Sequence, residues 1–164
     1  MASKTLSIAD FQTPIESRFF EDYVPGAVYE YGSYEVTEAE VLEFAGRFDP
    51  QRMHTDKLYA QVGPFNGLIA SGWHTTAIFM RLFADHYLSK VATLPSPGID
   101  EIRWLVPVRP GDSLQLRTSV VKARLSNSKP DRGLVTTKAE LFNQKGEVVM
   151  SLVAVNFLFT RPPL

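Results

Sequence analysis

Apolar positions recur along this chain with two different periods, and the change of period divides it. Val28-Tyr29-Glu30-Tyr31-Gly32-Ser33-Tyr34-Glu35-Val36 is rich in β-forming residues and predicts a strand, entered through the Pro25-Gly26 turn. Thr37-Glu38-Ala39-Glu40 then has the form of a capping box. Val41, Phe44, Ala45 and Phe48 follow at helical spacing, which predicts a short amphipathic helix over 38–47. Asp49-Pro50 ends it, because the residue before a proline is pushed out of the α region. Residues 51–65 read as irregular, with one helical turn around Lys57–Ala60, and Gly63, Pro64 and Gly67 break any period. From Ser71-Gly72 a helical run extends to about Leu88. Between Ala77 and Ala84 it is apolar almost all round, so Phe79 and Met80 read as core and the helix as buried on every side. At roughly 18 residues it would be about 27 Å long.

Beyond this helix the period is that of strands. Residues 99–108 form one, closed by an Arg109-Pro110-Gly111-Asp112 turn. Residues 113–125 alternate, with Leu114, Leu116, Thr118 and Val120 on one face. Residues 134–143 alternate too, with Val135, Thr137, Ala139 and Leu141 together. Asn143-Gln144-Lys145-Gly146 is a hairpin turn, and Val148–Phe159 is apolar on both faces, as in a central strand. Ser126–Gly133 is the one loop with room for mobility. Residues 1–22, with scattered apolar positions and Pro14, read as a loosely organised lead-in to a single domain over 23–164. The order predicts an α+β domain whose antiparallel sheet curls around one long helix. Strand 148–159 asks for more cover than one helix supplies, which predicts a homodimer, or an oligomer built from dimers, with an isologous interface.

Composition narrows the function. With 164 residues and 45% hydrophobic residues, the chain can bury a core without staples. The balance of 17 basic and 18 acidic residues argues against a nucleic-acid surface. The absence of cysteine removes disulfides, thiolate metal sites and cysteine nucleophiles, and is what a cytoplasmic location permits. The first residues have no apolar run of the secretory kind, and no segment approaches a membrane span. Dinucleotide, P-loop and Gly-x-Ser-x-Gly motifs are lacking.

Two places can carry chemistry. Asp49 and His54, five residues apart in Asp49-Pro50-Gln51-Arg52-Met53-His54, can hold one water between a carboxylate and an imidazole able to move a proton at neutral pH. Taken alone, the spacing fits a solvated histidine or a structural cap better than a catalytic pair. Gly72 stands at the entrance of the long helix. The first amides there lack internal partners, and the missing side chain lets a polarised carbonyl approach. The plain alternative is that Ser71 caps the helix and Gly72 packs tightly. His54-Thr55-Asp56 has no matching cluster elsewhere that would make it a metal site, and His74 and His86 read as core or helix-end residues.

Together these blocks resemble the MaoC-like dehydratase family, in the (R)-specific enoyl-CoA hydratase branch of the hot-dog fold. The likeness runs from about Phe20 to Gly146. It rests on Asp49–Asp56, on Gly67-Leu68-Ile69-Ala70-Ser71-Gly72-Trp73-His74, on Trp104–Asp112 and on Asn143–Gly146. It implies that Asp49 and His54 hold the catalytic water and that Gly72, with Ser71 beside it, meets the thioester carbonyl. It also implies that no metal or redox cofactor is needed and that coenzyme A arrives as the carrier of the acyl substrate. Many hydratases of the branch have Asp-x-Asn-Pro-x-His and His-Gly where this chain has Asp49-Pro50-Gln51-Arg52-Met53-His54 and Ser71-Gly72, marks of a subfamily with a different acyl group. Trp73 and Phe65, with Phe79 and Trp104 beside them, read equally as candidates for the acyl pocket and as core. Arg124 and Arg132, near Lys122 and Lys129, read either as part of a solvated turn or as contacts to the carrier phosphates. A non-catalytic acyl-CoA-binding protein and a hot-dog thioesterase are the competing readings. The latter asks for a carboxylate on the central helix, where Asp85 falls late.

Overall fold

A computed structural model of the protein describes residues 5–7 and 11–163; the remainder of the lead-in, 1–4 and 8–10, lies outside the described residues. One six-stranded sheet, in the order β1-β2-β4-β5-β6-β3, carries the fold. Its strands are β1 (Thr5–Ser7), β2 (Val28–Glu35), β3 (Gly98–Trp104), β4 (Ser113–Leu125), β5 (Arg132–Phe142) and β6 (Val148–Phe159). β1 pairs parallel with β2, and all other pairings are antiparallel. The helices are α1 (Glu38–Phe48), α2 (Arg52–Thr55), α3 (Lys57–Val62) and α4 (Gly72–His86).

The sheet wraps α4, as its period predicts. Ile78, Phe79, Leu82 and Phe83 of α4 share one buried cluster with Leu114, Leu116 and Val120 of β4, Val135, Ala139 and Leu141 of β5, and Met150, Leu152, Ala154 and Leu158 of β6. The capping box forms at the start of α1, with the Glu40 amide donating to Thr37 Oγ1 (3.2 Å) and the Thr37 amide to Glu40 Oε2 (3.1 Å).

Four features depart from the sequence reading. The segment 51–65 holds two short helices, joined at Asp56, whose carboxylate accepts from the Tyr59 amide at 3.0 Å and so starts α3. β3 stops at Trp104 instead of Val108; Pro107, which has no amide to give, lies in the stretch that leaves the ladder. α4 is not buried all round. Trp73, Ala77 and Met80 form an exposed stripe, and Met80, expected in the core, is 47% exposed. The lead-in from Phe11 onward is packed. Phe11 stacks on Tyr29 with centroids 4.0 Å apart, and Arg18 is 1% exposed. The Arg18 guanidinium donates to the carbonyls of Thr13, His86 and Tyr87 (3.2, 3.1 and 3.0 Å) and lies over the Phe11 ring. The scattered apolar positions of the lead-in hid this, because a segment that caps a helix end has no period of its own.

Candidate active site

The end of α1, the α2 turn and the start of α4 meet at one point. Pro50 makes a tight turn in which the Gln51 amide donates back to the Asp49 carbonyl (2.8 Å), and the α2 turn follows at once, with the His54 amide donating to Gln51 O (2.9 Å). The imidazole thereby comes back toward the carboxylate. His54 Nε2 stands 3.5 Å from Asp49 Oδ2, and the histidine is buried.

Hydrogen bonds assign the roles of these atoms. His54 Nδ1 lies 2.8 Å from the Ile69 carbonyl, which can only accept, so Nδ1 carries a proton, and in the neutral form of the ring it is Nε2 that presents the lone pair. Asp49 Oδ2 accepts from Ser71 Oγ (2.6 Å) and Oδ1 from Gln51 Nε2 (2.7 Å). These two bonds, Ser71 first, hold the Asp49 carboxyl below the ordinary carboxylate range. Two acceptors 3.5 Å apart do not bond each other. A water set to one side of the pair can donate one proton to each and turn a lone pair outward.

Ser71 accepts from the Trp73 amide (3.2 Å) as the N-cap of α4 while giving its only proton to Asp49. It therefore serves Asp49 and the helix end, and the donor left for a carbonyl at this place is the Gly72 amide, which at the first helical position has no intrahelical acceptor. Gly72 has to be glycine for a packing reason. A methyl group on its Cα would stand 2.6 Å from two ring carbons of Trp104.

His54, Gly72 and Phe65 line one cavity of about 330 Å³, together with Thr75, Trp104 and a wall running from Leu105 to Val108. Trp73 is not in this lining; 57% exposed, it packs edge-on against Trp104. Arg124 and Arg132 are not brought to the site. Trp104 pairs with Met150 at one end of β6, whereas Arg132 pairs with Phe159 at the other, so about 30 Å of strand separates them. Arg124 lies two residues nearer, level with Phe157 through Leu134. Arg132 is moreover engaged by Asp131 (2.8 Å). His74 faces a second cavity, of about 310 Å³ between α1 and α4, with Nε2 3.7 Å from Glu40 and burial lowering its pKa. His86 stacks on Tyr31. Asp85, the acidic residue of the thioesterase reading, is exposed and paired with Arg81 at 2.7 Å. Sequence reasoning missed Gln51, Thr75 and Thr76; for Gln51 the signal lay in the Asp-Pro-Gln turn, which points the amide back at the acid.

The sheet wrapped on a central helix is the hot-dog fold. A family model described as the MaoC like domain matches residues 22–142, and the chain belongs to that family. It is 30% identical over 125 residues to the uncharacterized protein YdeM of Bacillus subtilis, covering 76% of this chain and 87% of that protein. It is 31% identical over 108 residues to 3-hydroxyacyl-thioester dehydratase Z of Mycobacterium tuberculosis (65% of this chain, 72% of that protein). It is 38% identical over 76 residues to mesaconyl-CoA hydratase of Cereibacter sphaeroides, which covers 46% of this chain and only 21% of that longer protein. Among solved structures, a MaoC-like dehydratase from Rhodospirillum rubrum superposes with a TM-score of 0.80 at 39% identity, over 89% of this chain and 99% of that one.

Proposed function

We propose that the protein is a hydro-lyase that adds water to 2-enoyl-CoA thioesters, or removes it from 3-hydroxyacyl-CoA thioesters. The observation that carries this is the His54–Asp49 pair, with its tautomer fixed by Ile69 and its two acceptor atoms 3.5 Å apart, beside the Gly72 amide. In this reading Nε2 takes one proton of the water as the oxygen bonds to the β-carbon. Asp49 orients the water as a hydrogen-bond acceptor, the second water proton stays on the new β-hydroxyl, and the His54 imidazolium gives the proton it took to the α-carbon, so protons balance without any group from outside. Negative charge moves to the thioester oxygen, where the Gly72 amide and the positive end of α4 stabilise it. Neither a metal nor a redox cofactor enters the scheme, and coenzyme A is the carrier of the substrate. A cytoplasmic location goes with such a substrate.

The test is turnover on a panel of 2-enoyl-CoA thioesters, followed by loss of absorbance of the conjugated thioester. His54→Ala and Asp49→Asn are each expected to lower kcat about a hundredfold or more, with the double variant little worse than the poorer single one. Full activity in His54→Ala overturns the mechanism. Losses that multiply in the double variant mean that the two groups do not share one water.

We also propose a homodimer formed along the free edge of β3. Ile99, Trp104 and Leu105 are exposed there, and the stripe on α4 adds Trp73 and Met80. Antiparallel apposition of two β3 edges reverses the ends of the sheet. The 126–132 loop of a second copy then comes to the end that holds Gly72, which a single chain's own loop cannot reach. On this arrangement Arg132→Glu raises KM for the CoA thioester with kcat nearly unchanged. A monomeric mass by light scattering at micromolar concentration excludes the arrangement.

A further inference from the structure

Trp104, the last residue of β3, lies directly on Gly72. Its indole fills the space where a side chain at Gly72 would stand. Three contacts keep it there. The indole N–H donates to Thr76 Oγ1 (3.2 Å), the Thr76 hydroxyl donates to the Gly72 carbonyl (2.9 Å), and Trp73 packs edge-on with ring centroids 5.2 Å apart. The ring is thus tied to the first turn of α4 although Trp104 is 46% exposed. The same ring lines the cavity that contains His54.

We propose that Trp104 is a specificity-determining residue that sets the width of the pocket beside the thioester, so that acyl groups unbranched at C2 are accepted and those branched at C2 are rejected. The inference rests on the reading of the Gly72 amide as the donor to the thioester oxygen. An oxygen accepting from that amide lies about 2.9 Å from its nitrogen. The carbonyl carbon and then C2 follow within two bonds. The Gly72 Cα is one bond from the same nitrogen, and a side chain on it would meet the indole, so one substituent of the carbonyl carbon comes alongside the ring; in the proposal that substituent is C2 and not the sulfur. A hydrogen on C2 fits there, whereas a methyl group competes with ring atoms that Thr76 and Trp73 keep from receding. Ile69 and Ala70, which line the same cavity, yield little room either, because both are buried and the Ala70 amide is bonded to the Val108 carbonyl at 2.8 Å.

The experiment uses two saturated isomers, pentanoyl-CoA and 2-methylbutanoyl-CoA, which have equal composition and cannot add water. Their dissociation constants are measured by titration calorimetry, with indole fluorescence as a second readout. The wild type is expected to bind the straight-chain thioester at least about tenfold more tightly, the scale of a methyl group in a closed pocket. Trp104→Ala is expected to bring the ratio to within about threefold, and Trp104→Phe to an intermediate value. Thr76→Val keeps the ring but removes its anchor, and is expected to lower the ratio in the same direction. A ratio taken on one preparation does not depend on its folded fraction, so a weakly folding Trp104→Ala leaves the other two variants to decide. Equal affinities in the wild type overturn the proposal, as does a ratio unmoved in Trp104→Phe and Thr76→Val. A wild type that discriminates between the isomers but hydrates no 2-enoyl thioester overturns the hydratase reading and leaves the wall standing. Binding of neither isomer overturns the wall, and turnover on the 2-enoyl-CoA panel then decides the hydratase reading by itself.

Discussion

At its C-terminal end α4 runs into Arg18, whose guanidinium donates to the carbonyls of His86 and Tyr87 while Tyr23 Oη donates to Tyr87 O at 2.7 Å. A cation placed on the last carbonyls satisfies them and opposes the negative end of the helix dipole. Aromatic rings close over it, with Tyr23, Tyr87 and Phe11 in edge contact. The N-terminal end is built from small residues instead. Ser71 uses its hydroxyl on Asp49 and on the Trp73 amide, and Gly72 lines a cavity. One helix therefore has a filled end, closed by Arg18 and aromatic rings, and an end that borders a cavity, where the proposed mechanism places the donor to the thioester. The difference teaches that the open end is specific: the same chain closes a helix terminus where closure serves the fold.

The contrast breaks most severely at Gly72. Gly72→Ala drives a methyl group into Trp104 and displaces either the ring or the amide. It is expected to lower kcat/KM on the best enoyl-CoA substrate about a hundredfold, the usual cost of losing or misplacing one such donor by about an ångström. Adding Trp104→Ala should return part of the loss, and steady-state kinetics on the two variants measures how much. An undiminished Gly72→Ala enzyme means that the open end is not used.

At the other end the same kind of change should act on stability and not on turnover. Arg18→Met keeps the length of the side chain but takes this donor from the Thr13 and His86 carbonyls and leaves Tyr87 O to Tyr23 alone. A loss of about 2 kcal/mol is expected, the cost of a buried charged hydrogen-bonding group removed from its acceptors. Denaturant melts give the stability, and kcat per folded molecule should stay near that of the wild type. A variant that melts like the wild type shows that the filled end contributes nothing.

The smallest expected effect sharpens the role of Ser71. Its hydrogen bond is the first cause of the lowered Asp49 pKa, so Ser71→Ala should move the Asp49 titration upward toward the ordinary carboxylate range. Carboxyl-carbon chemical shifts followed against pH measure the movement. A carboxyl held below its unfolded value stabilises the fold above the ordinary carboxylate range, and that contribution disappears as pH falls through the folded value. The variant should therefore lose a little of its stability at neutral pH and have a shallower fall in acid, because less remains there to lose.

What the sequence determined by itself is local. The Thr37–Glu40 box and the 3.6 period fix α1, and Asp49-Pro50 ends it and turns the chain back, so the acid and the imidazole come from one short stretch and are legible together. Alternation gave β4 and β5 their inward faces, because a strand's faces follow from every second residue. What only the tertiary structure decided depends on elements far apart in the chain. An apolar run on α4 reads as buried on all sides, yet the number of faces covered depends on how far the sheet curls, and Trp73 and Met80 are left outside. Arg124 and Arg132 follow the site in sequence, but the register of β6 against β3 and β5 puts them at the other end of the sheet. The close packing of Trp104 on Gly72, and the tautomer that Ile69 imposes on His54, arise from contacts across 32 and 15 residues, which no local pattern encodes.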